Sequence, residues 1–212
     1  MKVTSIKQYK GTTYEVELDY SRKIYLHADI IADFNVHTDS ELERDELRKI
    51  IYASNSRRAF QYALYLLDYR DYSFKEMFEK LEKTYKNESL CFQVMKKLVK
   101  IGVINDARYA EKLARKYVET KYFGIYRARR EITAKGISRE TADAALEKYI
   151  DCTEENLGYL LERKYSRLLT DETDRKSIEK VKSALVRYGY GFDEINCAVR
   201  EYFENADLQE DM

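Results

Sequence analysis

From residue 56 onward the chain repeats itself about every fifty residues, and a repeat of that period points to a stack of similar supersecondary units. ITAKGI at 132–137 aligns with LVRYGY at 185–190 at an offset of 53 residues, which also lays Ala142 on Ile195, Ala145 on Ala198, Leu146 on Val199 and Tyr149 on Tyr202. An offset of 51 residues toward the N-terminus lays Leu81 on Ile132, Val94 on Ala145, Met95 on Leu146 and Leu98 on Tyr149. Three copies emerge, each reading as three helices. In the first, residues 57–70 carry Ala59, Tyr62, Ala63 and Leu66 at helical spacing. Ser73 caps a helix bearing Phe74, Phe78 and Leu81, and a third helix bears Leu90, Val94, Leu98 and Ile101 before Gly102 ends it. In the second copy Asp106 caps a helix with Tyr109, Leu113 and Tyr117, Gly124 breaks it, and helices over 125–135 and 139–149 follow. The third copy places helices at 154–169, 175–188 and 193–203. The chain contains no proline, so helix ends rest on glycine and on Ser, Thr and Asp caps.

The first fifty-five residues differ in period. Tyr14, Val16, Leu18 and Tyr20 alternate with Glu15, Glu17 and Asp19, the signature of a half-buried strand. Residues 3–9 can pair with it across Lys10 and Gly11, and 23–27 after the polar Ser21 and Arg22. A short helix is expected over 28–34. Thr38 and Glu41 have capping-box spacing and predict a helix start there, and Ser54–Asn55–Ser56 reads either as its end or as a hinge. The fold class is therefore mainly α: three tandem three-helix repeats forming an elongated, curved stack, preceded by a small antiparallel β domain. The boundaries expected are 1–55 for the β-rich part with its connecting helix, 56–105, 106–152 and 153–205 for the repeats, and 206–212 for an acidic tail.

Thirty-eight basic and thirty-eight acidic residues cancel overall but not locally. Residues 107–149 hold eleven Lys/Arg against six Asp/Glu, and residues 150–212 hold nine against fifteen. A basic centre beside an acidic end suits a molecule that lays one region on phosphates or on an acidic surface while staying soluble, although solvated helix faces would give the same counts. On the helix from Ile125, helical spacing puts Ile125, Ala128 and Ile132 on one side and directs Arg127 and Arg130 away, with Arg129 at the border. Arg108, Lys112 and Arg115 share a face of the preceding helix. Exposed guanidinium groups can grip phosphates or carboxylates bidentately. Tyr117, Tyr122 and Tyr126 interleave with this charge. Tyr109 and Tyr117 continue the apolar stripe and read as core, whereas Tyr122 and Tyr126 read equally as core or as stacking groups.

No motif for chemistry occurs. There is no phosphate-binding loop and no zinc-ligand spacing, and His27 and His37 lack partners for either metal binding or nucleophile activation. No catalytic residue, metal or cofactor is expected. Cys91, Cys152 and Cys197 read as reduced, buried thiols. No apolar run approaches a membrane span and the N-terminus has no apolar h-region, so a cytoplasmic protein is expected.

Three stretches, ALYLLDYRDYSFKEMFEKL (63–81), IGVINDARYAEKLARKYV (101–118) and GIYRARREITAKGI (124–137), resemble the RecX family. Gly124-Ile125 stands where that family commonly has Gly-Pro, and Tyr109-Ala110 where it commonly has Phe-Ala; both departures are mild. The resemblance covers the repeats and extends to the N-terminal strands. It implies a non-enzymatic, monomeric regulator that docks along the groove of the RecA filament, bridges protomers and suppresses ATP hydrolysis, strand exchange and coprotease activity. Single- or double-stranded DNA is a further implied partner. By matching position, the contact candidates are Arg127, Arg129, Arg130 and Lys135, supported by Arg108, Arg115 and Lys116. The alternatives are a helical DNA-binding protein acting alone and a scaffold with no nucleic-acid link.

Overall fold

The computed structural model describes residues 1–210, with side chains through Asn205. By internal packing they form two units: Met1–Asp71 with Met77–Ile104, and Tyr72–Glu76 with everything from Asn105 on.

The first unit opens with three strands, β1 (Val3–Lys10), β2 (Thr13–Leu18) and β3 (Arg22–His27), in the order β1-β2-β3, antiparallel throughout. Ile6 faces Val16 and Val16 faces Ile24, so the alternation in β2 sets the register of the sheet. Val16 and Leu18 are buried with Val3, Leu26, Ile30, Leu47 and Ile50, which joins the sheet to α1 (Ala28–Asp33) and to the start of α2 (Arg44–Tyr69). The Thr38 cap does not form. Residues 39–42 instead pair with the chain's first residues: Val3 N–H donates to the Ser40 carbonyl, Asp39 N–H to Val3, and Leu42 N–H to Met1 at 2.8 Å. Backbone pairing across the sheet edge outcompetes the local capping box and delays the helix to Arg44. Through Ser54–Asn55–Ser56 the helix is continuous, with Ser54 buried. It packs against α4 (Glu88–Lys100), whose Leu90, Cys91, Val94, Met95 and Leu98 are buried. In sequence, α3 (Phe74–Tyr85) connects α2 to α4. Ser73 and Glu76 make the reciprocal box at its start, Glu76 N–H donating to Ser73 Oγ at 3.1 Å and Ser73 N–H to Glu76 Oε2 at 3.3 Å.

In the second unit each remaining copy brings three helices. One set is α5 (Asp106–Arg115) prolonged by a π-turn (Lys116–Thr120), α6 (Ile125–Thr133) and α7 (Arg139–Leu146). The other is α8 (Thr153–Leu160) prolonged by a π-turn (Leu161–Tyr165), α9 (Arg175–Tyr188) and α10 (Phe192–Glu210). Each set has its own core, around Ala110, Ala128, Ile132 and Leu146 in one and around Leu157, Leu161, Val181, Leu185 and Ile195 in the other. Asn105, not Asp106, caps α5, its side chain accepting from Arg108 N–H at 3.0 Å. Asp106 accepts from Phe74 N–H at 2.8 Å, and burial raises its pKa. Of the cysteines only Cys91 is buried; Cys152 is half-buried, and Cys197 is exposed because Ile195, Ala198 and Val199 take the inner face of α10. The backbone of α10 runs into the expected acidic tail as far as Glu210, and residues 211–212 lie outside the described residues.

The two cores are joined where α9 ends against the start of α6. Gly124 N–H donates to the Tyr188 carbonyl at 2.9 Å and Tyr126 N–H to the Gly189 carbonyl at 3.3 Å. A Cβ on Gly124 would lie 2.2 Å from the Gly189 oxygen, and Gly189 itself has φ +96°. Tyr190 Oη donates to the Tyr122 carbonyl at 2.9 Å, and burial drives the Tyr190 pKa far above that of a free tyrosine.

Two outcomes follow from this joint. Gly124→Ala should cost about 2–3 kcal/mol, seen as a melting temperature lowered by about 5–10 °C, because the obstructing atoms are backbone. Tyr190→Phe should orphan the Tyr122 carbonyl and cost about 1 kcal/mol near neutral pH. Since the folded pKa of Tyr190 is raised, the unfolded chain loses its proton first, and stability falls as pH climbs above about 10. Urea melts at about pH 8 and about pH 10.5 should therefore show a smaller alkaline loss in Tyr190→Phe than in the parent.

Candidate functional site

The arginine-rich helix α6 has a buried side made by Ala128 and Ile132 and an outer side on which Tyr126 is 64% and Arg130 73% exposed. No side chain caps its N-terminus; the carbonyls of Tyr188 and Gly189 take the amides that a cap would serve. That arrangement decides the fate of its first arginine. Helical spacing predicts that Arg127 points away from the protein, but its side chain is only 29% exposed. The guanidinium lies 3.9 Å from the Phe123 ring centroid and 5.8 Å from that of Tyr188, and Nη1 donates to the Arg187 carbonyl at 3.1 Å. Its Nε is buried without a hydrogen bond, 3.7 Å from Glu131 Oε1. Periodicity within one helix is blind to this, because the enclosing groups are Phe123, which precedes the helix, and Arg187 and Tyr188 of α9, some sixty residues on.

The other six candidates divide by what they touch. Arg129 is ion-paired with Asp143 of α7, and its guanidinium also lies 5.8 Å from the Tyr126 ring centroid. Lys135, just past α6, reaches Glu76 at 3.5 Å, while its carbonyl accepts from the Ser73 hydroxyl. Arg115 is 75% exposed and pairs with Glu119 at 3.0 Å, and the same carboxylate accepts from Tyr149 Oη at 3.1 Å. Together with burial, that hydrogen bond raises the Tyr149 pKa. Arg108 and Lys116 are exposed on α5 and at the head of its π-turn, as is Lys112. Arg130 is 73% exposed, with the Glu131 carboxylate 3.7 Å away.

The structure therefore brings Arg129 and Arg130 together on one surface and sets Arg108, Arg115 and Lys116 on another helix. Two groups join the first surface. Tyr126 lies one turn before Arg130, and Arg139 opens α7, its Nε 3.6 Å from the second oxygen of Asp143. Asp143 thus holds Arg129 and Arg139 side by side, an arrangement invisible to a scan of either helix alone. Tyr122 goes the other way. Its ring stacks on Tyr159 with centroids 4.5 Å apart, and its carbonyl serves Tyr190. The arginines and an exposed tyrosine, with the Asp143 and Glu131 carboxylates among them, make a surface that can bind an anion by charge and a flat group by stacking. Among the described residues no three His, Cys, Asp or Glu side chains gather to hold a metal, and no helix is long and apolar enough to cross a membrane.

Comparison with known proteins bears on this region and beyond it. The family model described as the second three-helix domain of RecX matches residues 105–146. Over 216 residues the chain is 28% identical to the regulatory protein RecX of Bacillus velezensis, covering 98% of this chain and 80% of that one. It is 27% identical to the RecX of Clostridioides difficile, over 90% of this chain and 91% of the other. The crystal structure of RecX from Lactobacillus salivarius superposes with a TM-score of 0.66 at 28% identity over 71% of this chain and 97% of that one. A second crystal structure, titled regulatory protein RecX, covers 92% of this chain and 97% of its own with a TM-score of 0.73 at 22% identity, which speaks for the fold.

The contrast between neighbouring arginines can be measured. Arg127→Ala should cost about 1–3 kcal/mol in a denaturant melt, since it removes a stacked cation and the partner of a helix-terminal carbonyl. Arg130→Glu should stay within about 0.5 kcal/mol of the parent. Equal losses in both would mean that Arg127 is not the enclosed member of the pair.

Proposed function

We propose that this chain, similar along its length to proteins named RecX, is a RecX-family regulatory protein of RecA that binds the RecA–DNA filament and restrains ATP hydrolysis, strand exchange and coprotease activity. The observation that carries the proposal is similarity at 28% identity along 98% of the chain to a protein named as a RecX regulator. The proposed protein works without a catalytic centre, as a monomer in the cytoplasm. Residues 1–55 serve as its β-rich part, 56–105, 106–152 and 153–205 as its repeats, and 206–212 as an acidic tail.

Of the seven candidate residues, we assign the contact itself to Arg130, Arg108, Arg115 and Lys116, which present charge outward from the second repeat. Arg127, Arg129 and Lys135 then hold the surface in shape through Phe123, Asp143 and Glu76. A second reading, a DNA-binding protein acting alone, is favoured by one observation: Tyr126 is exposed beside Arg129 and Arg130, as a stacking platform for single strands requires. Stand-alone binding would fall steeply with salt on naked DNA, whereas a filament regulator prefers RecA-coated DNA.

The test is the steady-state ATPase of the cognate RecA on single-stranded DNA with this protein titrated in. The native chain should inhibit at stoichiometric levels. Arg130→Glu combined with Lys116→Glu should weaken inhibition by about tenfold or more while melting like the parent, each charge reversal removing on the order of 1 kcal/mol of contact. An unchanged ATPase rate with the native chain would refute the proposal.

A further inference from the structure

The third repeat carries a groove that the basic surface leaves unused. It lies between α8 with its π-turn and α10 and encloses about 780 Å³, comparable with about two turns of a helix. Its floor is apolar: Ile150, itself 57% exposed, with Leu161, Ala198 and Tyr202. Its rim is acidic: Asp151, Glu154, Glu162, Glu194 and Glu201, with no lysine or arginine in the lining. Glu194 accepts from Gly191 N–H and Glu201 from the Cys197 thiol, and among the described residues none of the five has an ion-pair partner. The final stretch ADLQEDM adds three further acids and no base.

A separate observation points to an occupant. Gly158 sits inside α8 and lines the groove, yet a Cβ placed on it would meet nothing within 4 Å. Its φ is not in the left-handed region, and it makes no close backbone crossing of the kind that requires Gly124. Glycine within a helix costs about 0.5–1 kcal/mol relative to alanine, and nothing in this fold demands it. A bare helix wall facing an apolar floor is what the close approach of another chain uses.

We propose that this groove is a docking site for an amphipathic helix whose apolar face carries aliphatic anchors and whose borders carry lysine or arginine. The aliphatic side fills the floor over Gly158, and the basic borders meet the carboxylates of the two walls. A nucleic acid is disfavoured there by the sign of the charge, and a divalent cation by the absence, among the described residues, of three ligands gathered at one point. The site is distinct from the basic surface of the second repeat and stands whether or not that surface meets RecA.

The experiment uses the full chain and a fluorescein-labelled leucine–lysine amphipathic peptide of about 18 residues, with a sequence-scrambled peptide of equal charge as control. Anisotropy titrations should show the amphipathic peptide binding about tenfold or more tighter than the scramble, with affinity falling as salt rises. Cys197, exposed on the groove wall, should become slower to react with a thiol reagent when the peptide is bound, while buried Cys91 serves as the internal reference. Gly158→Leu should fill the floor, keep or raise the melting temperature, and abolish both binding and protection. Glu154→Lys with Glu162→Lys should weaken binding by about tenfold or more, and the corresponding Gln pair provides the test should the Lys pair fail to fold. Equal binding of both peptides, or binding that Gly158→Leu leaves intact, would overturn the proposal. So would salt-labile self-association that the peptide does not displace, because the occupant would then be a second copy of this chain.

Discussion

The second unit depends on one economy of backbone chemistry. A helix N-terminus leaves amides without acceptors, and a helix C-terminus leaves carbonyls without donors. Where α9 ends on α6, the two deficits meet. The amides of Gly124 and Tyr126 donate to the carbonyls of Tyr188 and Gly189, and the Arg127 guanidinium takes the carbonyl of Arg187. The negative end of one helix dipole faces the positive end of another, with a cation beside the carbonyls, so each contact also lowers the electrostatic energy. The approach is possible only because neither crossing residue carries a Cβ. Gly124 has no room for one, and Gly189 needs a left-handed backbone as well. Two cores that could each have closed separately are thereby held in one unit, without any side-chain cap on α6.

This joint explains why the basic centre of the chain is less available than its charge suggests. Charge counted along the sequence treats every arginine as a surface group. In three dimensions Arg127 neutralises a helix end, Arg129 and Arg139 share Asp143, Lys135 meets Glu76 and Arg115 meets Glu119. These pairs are partly exposed and each contributes little to stability. Their larger effect is geometric. A guanidinium held by a carboxylate on the neighbouring helix keeps its remaining donors in a fixed direction, which lowers the ordering cost when a partner arrives.

What could be read from the sequence follows the range of the interaction involved. The alternation in β2, the repeat itself, the Ser73 cap and the end of α4 near Gly102 are local patterns, and each is present. Most of the failures are cases in which a distant group intervenes. Thr38 had the spacing for a cap, but the strand edge at Met1 and Val3 claimed its neighbours. Asp106 looked like a cap, but Phe74 claimed its carboxylate and left the role to Asn105. Arg127 belonged to the outer face of its helix until α9 covered that part of it. Cys197 falls between buried positions, and a one-residue error in the helical phase separates an inner thiol from an exposed one.

The opposite charge of the two repeats has a consequence for recognition. A basic surface alone would bind any polyanion, with discrimination set by little more than salt. Following it in the same compact unit with a C-terminal part, residues 150–212, that carries fifteen acids against nine bases penalises any polyanion that extends from one to the other. A partner that engages both must itself change sign along its length, which a protein surface can do and a bare phosphate backbone cannot. The layout therefore suits a surface that changes sign along its length better than a bare polyanion. It makes the acidic repeat a source of specificity even where it contributes nothing to affinity.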